Sequence, residues 1–161
     1  MRRCTINCLR PCTPISDERV KYVVNTHLHG DYTAGDTAFA QEGALSIAWV
    51  NMRERMLAQA KPLPAAAIPV LAHEDSMTIH MNGETIDIFW PEPACTDGDS
   101  LIYFRNANIR QTGDAPSSLR YPNIGVNDGG TVAGMMAARA AGAIPAAKFV
   151  ALVHTDLVKP W

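Results

Sequence analysis

The sequence predicts an α/β layered domain, and three observations carry that expectation. Short apolar, β-branched runs alternate with Ala-rich stretches of helical character. An Asn-Gly pair sits between two runs of alternating polarity. The chain has 161 residues, enough for one domain with a real core. Strands and helices that alternate along a chain, with a hairpin among them, pack as layers.

Taken in order, residues 21–25 (KYVVN) read as a strand. Residues 26–31 (THLHGD) read as a loop, and 33–41 (TAGDTAFAQ) as a short helix ending before Gly43. Leu45 to Trp49 reads as a second strand. Asn51 is expected to cap a helix running to Ala60, with Arg53, Glu54 and Arg55 on its wet side. Three prolines make 61–69 a loop. Met77–Met81 and Glu84–Phe89 flank Asn82-Gly83, the strongest short hairpin signature, because both residues tolerate positive φ. Residues 101–105 and 108–112 give two more strands, 131–141 a helix ending at Gly142, and 149–153 a last strand.

Composition narrows the class. Hydrophobic residues make up 47% and charged residues 19%, with a net charge of -2. No basic excess points to nucleic acid, and no run approaches the roughly 18 apolar residues of a membrane span. The expected partner is a small-molecule substrate, the expected location cytoplasmic by default, and the oligomeric state is open. Residues 1–19 are expected to be a poorly ordered leader, with the domain at 20–161. Cys4, Cys8 and Cys12 recur every fourth residue, but that spacing matches no common ligand pattern, and Pro11 and Pro14 oppose a continuous helix. Among the other histidines, His73 beside Glu74 and Asp75 is expected in a solvated turn, and His80 on the outer face of the hairpin. Met135 and Met136 are expected to pack, and Gly129-Gly130 to let the chain turn.

The chemistry concentrates at His27, His29 and Asp31. After a strand, residues at i, i+2 and i+4 point to one side while the chain stays extended. Two imidazoles and a carboxylate facing one way begin a zinc site, and Gly30 leaves the backbone room to turn.

VVNTHLHGDYTAGD resembles the His-x-His-x-Asp-His signature of the metallo-β-lactamase superfamily. EPACTDGDSLIYF, QTGDA and YPNIGVNDGGTVAGMMAA resemble later segments of the same superfamily, in the same order, so the resemblance covers residues 20–142. It implies a four-layer αββα sandwich, here incomplete at the amino end. It also implies a zinc-dependent hydrolase that acts on an activated carbonyl (a β-lactam, lactone or thioester) through water activated by the metal. In that reading Asp31 orients the water or takes its proton, and Asp114 bridges or holds the metal. The departures are specific. Tyr32 stands where the motif has its second-site histidine, and Cys95 where the superfamily has its third histidine. No Gly-His-Gly turn follows the last strand, and His154 lies nearby in a different register. The implied first site uses His27, His29 and Cys95 with Asp114; cysteine thiolate is a good zinc ligand, though Cys95 is equally readable as a small buried residue. The second site would use Asp31, Asp114 and His154. A phenol holds its proton to about pH 10, so Tyr32 is a poor replacement ligand and this site is expected to bind a second zinc loosely or not at all. Two alternatives stay open. One is a catalytically impaired remnant of the fold with at most one metal; the other is a closed structural zinc site built from His27, His29, Cys95 and Asp114.

Overall fold

A computed structural model describes residues 18–115, 122–142 and 148–149. The leader cysteines, His154 and most of the last expected strand lie outside the described residues. Two sheets form the middle of the molecule. The first is parallel, in the order β1 (Tyr22–Val24), β2 (Leu45–Trp49), β3 (Leu71–His73). The second has the order β4 (Ser76–Met81), β5 (Glu84–Phe89), β6 (Leu101–Phe104), β7 (Ile109–Gln111), β8 (Lys148–Phe149), antiparallel except for the last pair.

The layering follows from the period-2 alternation of strand side chains. On β2, Ile47 faces one way and meets Ile88 and Ile102 of the second sheet, with Val24, Leu71, Ile79 and Phe104 around them. Its neighbour Ala48 faces the other way and meets Met52 and Met56 of α3 (Val50–Leu57). On β6, Ile102 joins the inter-sheet core, while Leu101 turns outward to Ala94, Met135 and Ala138. Met135 and Ala138 belong to the last described helix, which runs Val132–Gly142. Helix, sheet, sheet and helix thus stack as four layers, as expected. Burying one of the large side chains of these cores contributes roughly 1.5–3 kcal/mol.

The Asn82-Gly83 turn forms where expected, with φ of 56° and 73°. His80 is exposed and bonds Thr85 on the facing strand. Four local expectations are corrected, the first being that Met136 is exposed while Met135 packs. Helical structure begins at Gly30, not Thr33: α1 (Gly30–Thr33) and α2 (Asp36–Gln41) follow directly on His29, whose carbonyl accepts from the Tyr32 and Thr33 amides. Helix α3 starts at Val50 with Trp49, not Asn51, as its cap. His73 is buried rather than solvated, because 71–73 is a third strand of the first sheet. Its ring packs edge-on against Trp49 at 5.2 Å, and its Nε2 meets Ser100 Oγ at 3.3 Å. Burial pushes its pKa below the ordinary value. No helix among the described residues is long and apolar enough to cross a membrane.

Candidate metal centre

Strand β1 ends at Val24, and a loop that bends at Thr26-His27 leads to His29, whose backbone is extended, before the chain turns into α1. That loop brings the two imidazoles together. His27 Nε2 lies 3.0 Å from His29 Nδ1, and the rings stand edge to face with centroids 4.7 Å apart. Two segments from the second sheet complete the group. Cys95, in the loop before β6, brings Sγ to 3.9 Å from His29 Nδ1. Asp114, just after β7, brings Oδ2 to 3.6 Å from His27 Nε2 and 4.0 Å from His29 Nδ1. One donor atom from each of His27, His29, Cys95 and Asp114 falls within 4.8 Å of the others. A tetrahedral zinc with bonds of about 2.0–2.3 Å has ligand–ligand edges near ~3.3–3.7 Å. The observed separations lie close to that range, and the donor set (two imidazoles, a thiol and a carboxylate) is one that zinc accepts.

The backbone around the group is tightly determined. The Asp99 carboxylate accepts from the Cys95 and Thr96 amides and from the Thr96 hydroxyl, folding 95–99 into a fixed loop. Gly113 has φ 57°, and a Cβ there would sit 2.6 Å from Thr26 Oγ1, so a glycine is required beside Asp114. The Gly125 amide donates to the Cys95 carbonyl, and Gly130 packs so closely on that carbonyl that any Cβ would overlap it.

The electrostatics fit a cation. Burial pushes the Cys95 thiol up to about 12, and the nearby carboxylates of Asp99, Asp114 and Asp128 push in the same direction. A thiolate here needs a positive partner. The Asp114 carboxyl is held below its usual range, first by His27 and then by the Tyr32 hydroxyl, with burial opposing both. Tyr32 donates to Asp114 Oδ1 at 2.8 Å, and burial together with that bond raises its phenol above the ordinary value.

The expected site residues therefore divide. His27, His29, Cys95 and Asp114 come together. Asp31, expected at the second metal position, is exposed in α1 and is not part of the four-residue group. Two residues escaped the sequence reading. Asp99 shapes the Cys95 loop, and its only signal was the Asp-Gly-Asp run. Asp128, in the 3-10 turn Val126–Asp128, reaches His29 Nε2 at 3.8 Å, and nothing local in the sequence announced it.

Four layers around paired parallel and antiparallel sheets, with this cluster at the strand ends, define a protein of the metallo-β-lactamase fold. Solved structures agree. The chain is similar to a metallo-β-lactamase from Pontibacter korlensis with TM-score 0.77 and 20% identity, over 92% of this chain and 68% of that one. It is similar to the DIM-1 metallo-β-lactamase with TM-score 0.68 and 18% identity, over 87% and 62%. It is similar to the metallo-β-lactamase IND-7 with TM-score 0.68 and 16% identity, over 94% and 68%. The chain thus spans about two thirds of the length of these structures. No family model matches the sequence, and no curated protein does.

Proposed function

We propose that this chain is a zinc-dependent hydrolase acting on an activated carbonyl in a small molecule, such as a β-lactam, lactone or thioester. The observation that carries the reading is the convergence of His27, His29, Cys95 and Asp114 on one point. The similar structures are named as metallo-β-lactamases, which favours the same reaction class.

His27 Nε2, His29 Nδ1 and Cys95 Sγ are the atoms that would hold zinc, three protein ligands being the number a catalytic site uses. Zinc, when bound, lowers the pKa of water to about 7 and so supplies hydroxide at neutral pH. Asp114 is the carboxylate that faces the imidazoles, so in this reading it orients the attacking water and accepts its proton, the role expected of Asp31 from the sequence. Tyr32 holds Asp114 in that orientation through its bond to Oδ1. The buried floor around Cys95, Ala94 and Thr96 excludes bulk water from the ligand side.

A second reading has a specific observation behind it. Asp114 Oδ2 lies as near the imidazoles as the Cys95 sulfur does, so Asp114 can complete a four-ligand set and leave no open position. That arrangement belongs to a structural zinc site or an inactive remnant. Hydrolysis of a chromogenic cephalosporin and of a generic thioester by zinc-loaded protein separates the two. Zinc-dependent turnover that disappears in His29→Ala supports the hydrolase. Full zinc binding with no turnover on either substrate supports the closed site.

A further inference from the structure

The atoms of the ligands that face away from the group are themselves held. His27 Nδ1 meets Thr26 Oγ1 at 3.1 Å. Asp114 Oδ1 accepts from Tyr32 at 2.8 Å, and the Tyr32 ring lies against His27 with centroids 4.2 Å apart. His29 Nε2 faces Asp128 Oδ2 at 3.8 Å, on the side opposite His27, Cys95 and Asp114. Ligating imidazoles usually give their second N–H to a carboxylate, carbonyl or water, which fixes the tautomer and the ring direction, and ligating carboxylates are likewise hydrogen-bonded.

Asp128 is placed for that task by backbone contacts. Its amide donates to the Gly125 carbonyl at 2.8 Å, and its carbonyl accepts from the Asp97 amide at 3.0 Å. Gly125 is in turn bonded to the Cys95 carbonyl, so the turn bearing Asp128 is tied to the loop bearing the sulfur. Arg55 is the nearby cation, and it is bound through two nitrogens by Asp97 at 2.6 and 2.8 Å. Asp128 also acts on Arg55 through space, and its Oδ2 lies across His29 Nε2.

We propose that Asp128 and Tyr32 are positioning residues of the metal centre. Asp128 selects the His29 tautomer that carries its proton on Nε2 and leaves Nδ1 as the donor. Tyr32 fixes Asp114 so that Oδ2 faces the imidazoles. This rests on the metal-site reading above and deepens it, because it gives two residues outside the ligand set a defined part in affinity. The separation of 3.8 Å is longer than a hydrogen bond, and metal binding to Nδ1 is expected to shorten it into one by polarising the opposite N–H.

The test is a zinc titration against a competing chelator on the full chain, using wild type, Tyr32→Phe, Asp128→Ala and Asp128→Asn. Thermal melts of the metal-free proteins run beside it, with nitrogen-15 NMR of the His29 ring. Tyr32→Phe and Asp128→Ala are expected to weaken zinc binding by about 10- to 100-fold each, with the metal-free melts little changed. Asp128→Asn, whose side-chain carbonyl still accepts a proton, is expected to recover part of the loss. The metal-free wild type is expected to show the Nε2–H tautomer at His29, and Asp128→Ala to shift toward Nδ1–H. Affinity within about two-fold of wild type in both variants, or an unchanged tautomer, overturns the inference while leaving the metal site standing. A wild type that binds no zinc removes both together.

Discussion

Asp36 offers the sharpest stability test, because the structure buries it with only half its polar capacity met. It opens α2, is 2% exposed, and accepts from Asn25 Nδ2 at 2.8 Å through Oδ2. Its Oδ1 is buried with no partner among the described residues. Burial raises the Asp36 carboxyl from 3.8 to about 6, and the Asn25 bond recovers only part of that. The sign follows from linkage. The unfolded chain loses this proton near pH 4, while the folded one holds it to about pH 6. Stability is therefore unaffected below about pH 4, falls between pH 4 and 6, and stays lowered above that. A shift of two units corresponds to roughly 3 kcal/mol at pH 7.5. Asp36→Asn keeps an acceptor for Asn25 and removes the charge. It is expected to raise Tm by about 6–12 °C at pH 7.5, taking roughly 2–4 °C per kcal/mol, and to change it little at pH 4. Thermal melts by circular dichroism across pH 4–8, with chelator present, make the comparison. A lower Tm for Asp36→Asn at pH 7.5, or a gain equal at both pH values, would refute the reasoning.

Three other outcomes follow from the same geometry. Gly130→Ala places a Cβ inside the Cys95 carbonyl, so it is expected to displace the sulfur and weaken zinc binding at least tenfold, read by chelator competition. Because the Cys95 thiol titrates only near about 12 without a cation, zinc binding at pH 7 is expected to release its proton. Affinity then rises by up to tenfold per pH unit, and Cys95→Ala abolishes that proton release in calorimetry across buffers of different ionisation enthalpy. His73, held neutral by burial, is expected to lower stability as pH falls below about 6.5, where the unfolded imidazole takes a proton that the folded one resists. His73→Gln flattens that acid slope in melts of the metal-free protein.

What could be read from the chain was what is decided locally. The Asn82-Gly83 hairpin announced itself because two adjacent residues determine a turn. The pair His27 and His29 was legible because two imidazoles two residues apart follow directly on a β-branched strand. The placement of Asp31 within a helix was not, since that helix starts one residue after His29. His73 looked like a surface residue among Glu74 and Asp75; its burial comes from pairing with β2 and from Trp49 and Ser100, all distant in sequence. Asp128 was illegible for the same reason: it meets His29 only because glycines 125 and 130 let its turn lie against the Cys95 loop. The resemblance carried residues 95 and 114 to their places, and the sequence alone left open whether the thiol would face the imidazoles.

The central claim is that the sulfur of Cys95 and the two imidazoles bind one ion, and X-ray absorption at the zinc edge of zinc-loaded protein tests it most directly. The account predicts one sulfur scatterer at about 2.3 Å with imidazole nitrogens near 2.0–2.1 Å, the sulfur disappearing in Cys95→Ser. A spectrum with only nitrogen and oxygen neighbours, or a protein that retains no zinc, would contradict it.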